Sequence, residues 1–236
     1  MANVKIITDS GSDLPVSFLE GHKIPFLSLK VLLGDKEYDD IVDIDSITVF
    51  QAMREGQVPK TSQASPKQIE EIFTEVAEKK ESAIYISFSS ELSGTHQTAV
   101  MVREQVLEIY PELDLDIIDS RCASLGQGLV VRHAVQLAQK GADKETIIQE
   151  TKFLASHMEH LFTVDNLEYL RRGGRISRSS AFLGGLLNIK PVLNVEDGKL
   201  VPLEKHRGRK KAIKRIVELI GERGKNLDQQ IIGISH

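Results

Sequence analysis

A short stretch rich in hydroxyl groups, SFSSELSGTH at residues 87–96, lies between an apolar run and a long helical pattern. It suits three roles: a turn whose serines cap the next helix, a serine nucleophile with its base, or a cradle for an anion. A nucleophile elbow needs the pattern G-x-S-x-G, and around Ser93 the first glycine is missing. His96 lies on the following helix, and nothing in the sequence places it as a base. We therefore assign no catalytic residue.

The anion cradle depends on three consecutive residues, Ser93, Gly94 and Thr95. Gly94 lets the backbone approach a ligand closely, and the two hydroxyl groups add donors at the positive end of a helix. This arrangement suits a carboxylate or a phosphate. From the residues alone, helix capping is an equally good interpretation.

A second polar run, PKTSQASP at residues 59–66, precedes another helical pattern. The cap of that helix is satisfied by Ser65, with Pro66 at the first helical position. Thr61 and Ser62 are not needed for this cap, so we predict that they are free to face a ligand.

The segment TDSGSDLP at residues 8–15 places Asp9 and Asp13 beside hydroxyl groups. Neither D-x-D nor D-x-S-x-S is present, so a turn and a helix cap from Ser12 or Asp13 explain it better than a metal site. The chain also has no C-x-x-C motif or Cys/His cluster. We predict no bound metal.

Two stretches are strongly basic. Residues 165–180 carry Arg171 and Arg175 around a double glycine, and residues 205–215 include Arg207 at the start of a helical pattern. Solvated charge explains the first stretch as well as a phosphate or partner surface does. Positive charge at a helix start is unfavourable, so the second stretch predicts a partner: an acidic protein surface, a phosphate or nucleic acid.

The elements that position these residues alternate between strands and helices. Predicted strands are 4–9, 24–34, 83–88 and 115–120, and predicted helices are 12–22, 45–56, 65–80, 95–110 and 126–141. This alternation predicts an α/β fold with a parallel sheet covered by helices on both faces. Because open α/β sheets bind ligands beyond the carboxyl ends of their strands, SFSSELSGTH lies where a site is expected.

The pattern changes past residue 152, so we predict an N-terminal α/β domain, 1–152, and a smaller α+β domain, 153–236. The second domain has a predicted hairpin with Asp197-Gly198 as its turn, and a basic helix follows. An apolar stretch at 179–193 is either core or the lining of a channel. The chain stops in QQIIGISH, an apolar run typical of a strand, and therefore looks incomplete at its C-terminus.

Composition limits the class of protein. With 41% hydrophobic and 27% charged residues the chain is typical of soluble globular proteins, and its net charge of −4 argues against nucleic-acid binding through bulk charge. The one cysteine, Cys122, cannot form an internal disulfide, which fits a reducing compartment. The sequence shows neither a signal peptide nor an apolar run near the ~20 residues that span a bilayer. We predict a cytoplasmic protein without a transmembrane segment.

Six blocks follow one another along the chain: ITDSGSDLP, PKTSQASP, YISFSSELSGTHQTA, IIDSRCASLGQG, NLEYLRRGGRIS and LLNIKPVL…DGKL. Together they resemble the DegV family, the bacterial fatty acid-binding proteins that serve as carrier subunits of fatty acid kinase. The resemblance runs from residue 4 to the end of the chain. It implies two domains with one long-chain fatty acid, such as palmitate or oleate, in the cleft between them.

The resemblance also implies roles for particular residues. Hydroxyl groups of Thr61, Ser62 and Ser93 are expected to hold the carboxylate, next to Gly94 and Thr95, while the acyl tail lies in an apolar tunnel. The protein would carry no cofactor, and a separate ATP-dependent kinase subunit would phosphorylate the presented carboxylate. Contact with that subunit or with the phosphate is expected from Arg171, Arg175 and Arg207. The family usually ends in an H-x-G-P-G block, and this chain stops before one.

Two rival hypotheses stay open. The first is a stand-alone enzyme that uses the LSGTH loop for acyl or phosphoryl transfer. The second is a nucleic-acid binder that uses residues 205–215, which the acidic net charge disfavours.

Overall fold

The computed structural model describes residues 4–176 and 188–235. The chain forms two compact units, of which the first ends at His157 and the second begins at Met158. The predicted limit between residues 152 and 153 falls inside a helix, Lys144–Ser156. Each unit is described by itself.

The first unit contains a parallel sheet and a small antiparallel sheet. Its strands are β1 (Lys5–Asp9), β2 (Phe26–Leu27), β3 (Lys30–Leu33), β4 (Lys36–Asp39), β5 (Lys60–Ser62), β6 (Ser82–Ser87) and β7 (Asp114–Asp119). Its helices are α1 (Val16–Gly21), α2 (Ser46–Arg54), α3 (Pro66–Glu78), α4 (Thr95–Ile109), α5 (Ser124–Gln139) and α6 (Lys144–Ser156), with a 3-10 turn at Ser10–Ser12. The parallel sheet has the order β2-β1-β6-β7, and the antiparallel sheet has the order β4-β3-β5.

Helices cover both faces of the parallel sheet, as predicted. Ile7 and Tyr85 point to one face, where they pack in a fully buried cluster with Phe73 of α3 and residues of α4. Neighbouring strand residues point to the opposite face, where α5 contacts β1 and β6 and Gln127 of α5 donates a hydrogen bond to Thr8. The strands are apolar on both sides because both sides are buried.

The helix starts differ from prediction in two places. Ser65 makes no side-chain cap bond, although Pro66 does occupy the first turn of α3. Helix α1 begins at Val16 without a side-chain cap, so the predicted caps from Ser12 and Asp13 are wrong. Asp13 instead adopts a left-handed conformation with φ 52°, and its carboxylate accepts a hydrogen bond from Ser124. This tertiary partner competes successfully with the local cap.

The predicted strand at 24–34 is two strands in two sheets. Strand β2 extends the parallel sheet, with Leu27 opposite Asp9. Strand β3 pairs instead with β4 and β5 in the antiparallel sheet, where Val31 lies opposite Thr61. Because the chain changes sheets between these strands, a continuous apolar run does not form one continuous strand.

The second unit contains β8 (Phe162–Thr163), α7 (Glu168–Arg172), β9 (Ile189–Glu196), β10 (Lys199–Arg207) and α8 (Arg209–Arg223). Its antiparallel sheet has the order β10-β9-β8. The predicted hairpin turn is confirmed: Asp197 and Gly198 have φ of 48° and 82°, the left-handed pair that a two-residue turn requires. Helix α8 packs on the sheet through Ala212 and Leu219.

The predicted strand in QQIIGISH is wrong for the described residues. Residues 230–235 form no strand, and Ile231, Ile232 and Ile234 are exposed by 61%, 53% and 82%. A strand needs a partner for its backbone hydrogen bonds, and this part of the chain pairs with no described strand. Of the apolar stretch at 179–193, residues 179–187 lie outside the described residues.

Candidate functional site

The two hydroxyl-rich runs meet within the first unit. The backbone N–H of Ala64 donates to Oγ1 of Thr95 across 3.1 Å, and Nε2 of Gln63 donates to Oγ1 of Thr98 across 2.7 Å. Gln63 also lies so close to Gly94 that a Cβ atom there would come within 2.3 Å of its Oε1 atom. The loop before α3 and the loop before α4 therefore form one structure.

The junction brings two helix N-termini together. Helix α3 begins after Ser65, which makes no side-chain cap bond, and helix α4 begins after Gly94, which has no side chain. The first backbone N–H groups of a helix have no acceptor inside the helix, and they carry the positive end of its dipole. Two such ends beside hydroxyl groups favour a bound anion.

The predicted site residues differ in exposure. Thr61 and Ser62 lie on the exposed strand β5, Ser93 is half-buried and Gly94 is exposed. Thr95 is fully buried, and its Oγ1 atom lies 2.9 Å from Oγ of Ser93. The structure thus leaves Thr61, Ser62 and Ser93 accessible, and surrounds the Thr95 hydroxyl with protein groups.

The other serines of the opening stretch hold the loop in place. Ser90 donates both its N–H, across 3.2 Å, and its hydroxyl, across 2.5 Å, to the carboxylate of Asp119. The N–H of Ser89 donates to the carbonyl of Cys122, and Ser120 donates its hydroxyl to the carbonyl of Ser87 across 2.6 Å. The carboxyl ends of β6 and β7 therefore hold the loop in place through these hydrogen bonds. The sequence did not reveal this role for Asp119.

His96 has a different hydrogen-bond partner from the one that catalysis would need. Its Nδ1 atom lies 2.9 Å from Oγ of Ser87, and the same hydroxyl lies 3.2 Å from the carbonyl of Ile118. No contact in the described part of the chain joins His96 to Ser93. His96 is therefore not placed as a general base for Ser93.

Beneath the loop lies a buried carboxylate that the sequence analysis assigned only to a turn. Asp9 is fully buried and accepts hydrogen bonds from the Tyr85 hydroxyl at 2.8 Å, the Phe88 N–H at 2.7 Å, the Gln127 amide at 3.1 Å and the Gly11 N–H at 3.2 Å. Burial raises the pKa of Asp9 above its ordinary value, and these bonds offset part of the rise. Burial, together with the charge of Asp9, also raises the pKa of Tyr85. This network ties the ends of β1 and β6 to α5.

No group of His, Cys, Asp or Glu in residues 4–176 and 188–235 is arranged to hold a metal ion. Within the same residues, no helix is both long and apolar enough to cross a bilayer.

The predicted arginines lie in the second unit in different environments. Arg171 donates two hydrogen bonds to Glu168, at 2.7 and 2.5 Å. Together with the bond from Arg172 to the same carboxylate, they lower the pKa of Glu168 to about 2. Arg175 donates to the carbonyl of Gly173 across 2.5 Å. Arg207 is exposed. No described contact joins Arg171, Arg175 and Arg207 to one another.

Comparison with known proteins decides the family. The model of the DegV family, described as "Uncharacterised protein, DegV family", matches residues 3–236. The chain belongs to the DegV family. A DegV domain-containing protein of Clostridium perfringens is 39% identical over 239 residues, which cover all of this chain and 82% of that protein. The protein DegV of Bacillus subtilis is 33% identical over 224 residues, which cover 93% of this chain and 78% of that protein.

Solved structures of similar proteins share the fold. A stearic acid-binding protein from Eubacterium ventriosum is 28% identical with a TM-score of 0.86, over 93% of this chain and 76% of that one. A fatty acid-binding DegV family protein from Thermus thermophilus is 33% identical with a TM-score of 0.85, over 95% of this chain and 79% of that one. The fatty acid-binding DegV of B. subtilis is 32% identical with a TM-score of 0.82, over 94% of this chain and 78% of that one. The predicted fold class is confirmed by this likeness.

Proposed function

We propose that this DegV protein binds one long-chain fatty acid, such as palmitate or oleate, with its carboxylate at the junction of the two hydroxyl-rich runs. The observation that carries the proposal is the joining of these runs through Ala64 and Thr95. It is supported by the similar protein of E. ventriosum, which is described as binding stearic acid, and by the DegV proteins of T. thermophilus and B. subtilis, which are described as binding fatty acids. In this proposal Thr61, Ser62 and Ser93 donate to the carboxylate, and Gly94 and Thr95 shape the cradle.

Neutral donors suffice for such a head group. A carboxylate accepts hydrogen bonds through two oxygen atoms, and bonds to a charged acceptor are stronger than those between neutral groups. Hydroxyl groups and the N–H groups of two helix ends provide these donors without a fixed cation. A carboxylate held in this way is not neutralised by an ion pair, so it keeps its ability to accept a phosphoryl group.

The acyl tail contributes most of the binding free energy in this proposal. Burial of a methylene contributes about 0.8 kcal/mol, so about fourteen methylenes contribute ~11 kcal/mol before the costs of binding. The tail requires an apolar lining, for which the stretch at 179–193 is the predicted source. Because the tail contributes affinity and the cradle contributes selectivity, the two are separable by experiment.

We further propose that the protein is a carrier, which presents its fatty acid to a separate ATP-dependent kinase subunit in the cytoplasm. A stand-alone enzyme is less well supported, since His96 pairs with Ser87 and no contact among the described residues joins it to Ser93. Arg171, Arg175 and Arg207 are the proposed contacts to the kinase or to the phosphate. Incubation with ATP, magnesium and fatty acid is expected to give acyl phosphate only when the kinase is added, and turnover without it would contradict the carrier role.

Native mass spectrometry of the purified protein tests the binding itself. We expect an adduct with the mass of a long-chain fatty acid, which delipidation removes and added palmitic or oleic acid restores. Protein that purifies without a ligand and takes up neither acid would overturn the proposal.

A further inference from the structure

We propose that Thr95 is a positioning residue that makes the Ser93 hydroxyl an obligate hydrogen-bond donor, so that the cradle selects an anion. The inference rests on the proposed fatty acid site and assigns the source of its selectivity. Thr95 is fully buried, so its hydroxyl acts through its neighbour and not by direct contact with a ligand.

Three short contacts define the arrangement. Oγ1 of Thr95 accepts the N–H of Ala64 at 3.1 Å and lies 2.9 Å from Oγ of Ser93. The N–H of Thr95 donates to Oγ of Ser93 at 3.3 Å. Since either hydroxyl can be the donor across the 2.9 Å contact, two proton arrangements have to be compared.

In the first arrangement Thr95 donates its proton to Ser93. Oγ of Ser93 then accepts two hydrogen bonds, from the hydroxyl and from the N–H of Thr95, which occupies both of its lone pairs. Its own proton is left to point away from Thr95. Ser93 is half-buried, so this proton can reach water or a ligand.

In the second arrangement Ser93 donates to Thr95. The Thr95 proton then needs another acceptor, and the described residues provide none within hydrogen-bonding distance of this fully buried hydroxyl. A buried donor without a partner is strongly disfavoured. The first arrangement is therefore the stable one, and it turns Ala64, Thr95 and Ser93 into a chain of donors that ends at the ligand.

This chain gives Ser93 a fixed polarity. A hydroxyl that already accepts two hydrogen bonds can donate one more but cannot accept one. It therefore favours a carboxylate oxygen, and it gains nothing from the proton of an alcohol head group. Each bond in the chain also polarises the next, which strengthens the donor at its end.

The test compares stearic acid with octadecanol, which have the same chain length, by displacement of a fluorescent fatty acid. We expect Thr95→Val to reduce the ratio of acid affinity to alcohol affinity about tenfold, with a change in alcohol affinity below about twofold, because the Ser93 hydroxyl is then no longer held as a donor to the carboxylate and the tail is untouched. Thr95→Ser keeps the hydroxyl and is expected to restore the ratio. Thr151→Val is the matched control, since Thr151 is also a fully buried threonine and its hydroxyl has no partner in the part of the chain that the structure describes.

If Thr95→Val leaves the ratio of acid affinity to alcohol affinity unchanged, the proposed role of Thr95 is overturned. The proposed function as a fatty acid-binding protein would still stand. Wild-type protein that binds neither ligand would instead overturn the proposed function. If Thr95→Val does not fold, NMR of the wild type decides: we expect a slowly exchanging Thr95 hydroxyl proton with a nuclear Overhauser effect to Ser93. A Thr95 hydroxyl that exchanges as fast as that of Ser93 would contradict the inference.

Discussion

Ala64 donates its backbone N–H to the side chain of Thr95, although the two residues are 31 positions apart in the sequence. This bond joins the loop before α3 to the loop before α4. It fixes the distance between the hydroxyl groups of β5 and those that follow β6. The candidate site exists because two local motifs, each of which resembles a helix cap, are held against each other.

Gly94→Ala is expected to loosen this junction. The backbone at Gly94 has φ −73° and accepts an alanine, but the new Cβ atom would lie 2.3 Å from Oε1 of Gln63. We expect a loss of about 0.5–1 kcal/mol in the free energy of unfolding, measured with urea, because the exposed Gln63 side chain can shift but must give up its hydrogen bond to Thr98.

Removal of Gln63 tests the cause of that loss. In the background of Gln63→Ala, the Gly94→Ala change is expected to cost at least about 0.5 kcal/mol less, which is the coupling expected of residues in contact. Gly21→Ala is the control, since a Cβ atom there meets nothing within 4 Å. Strict additivity of the two changes would show that Gln63 and Gly94 do not constrain each other.

Thr151→Val is expected to stabilise the protein. Thr151 is fully buried, and its hydroxyl has no hydrogen-bond partner among the described residues. Replacement of an unsatisfied buried hydroxyl by a methyl group of similar shape removes a desolvation cost, so we expect a gain of about 1 kcal/mol in the free energy of unfolding. Ser17→Ala, at an exposed position of α1, is expected to change stability by less than about 0.5 kcal/mol. A destabilised Thr151→Val variant would indicate a partner for the hydroxyl.

Cys122 is expected to be an unreactive thiol in the native protein. It is buried, and burial raises its pKa from 9.0 to about 12 because the thiolate is poorly solvated there. As the pH rises above 9.0 the unfolded chain ionises first, so the stability that this thiol contributes is complete below 9.0 and declines towards 12. We expect slow labelling by a thiol reagent without urea and rapid labelling in urea, with Cys122→Ala as the blank. Equal rates would contradict the burial.

Much of the fold followed from local patterns. The helix from Thr95 to Ile109 and the turn at Asp197-Gly198 were predicted correctly, because an amphipathic period and a left-handed turn dipeptide are properties of neighbouring residues. The prediction of a single strand at 24–34 was wrong, because the structure has two strands there. The exchange of sheets between Leu27 and Lys30 depends on distant strands, which no window of the sequence contains.

The site was predictable in its residue types and not in its connections. Serines and a glycine ahead of α4 indicated an anion site, but the partners of that loop lie far along the chain. Gln63 reaches Thr98 across 35 positions, and Tyr85 reaches Asp9 across 76. The sequence also offered Thr95 as a direct ligand, whereas its burial favours a role through Ser93.

The affinity of the protein for stearic acid before and after Ser93→Ala is the sharpest test of a carboxylate cradle at Ser93. We predict that Ser93→Ala weakens binding about tenfold, the cost of one charge-assisted hydrogen bond, with the free energy of unfolding unchanged within about 0.5 kcal/mol. Ser17→Ala, which removes an exposed serine on α1, is expected to bind like the wild type. Equal affinity of Ser93→Ala and wild type would contradict a carboxylate cradle at the junction of the two loops.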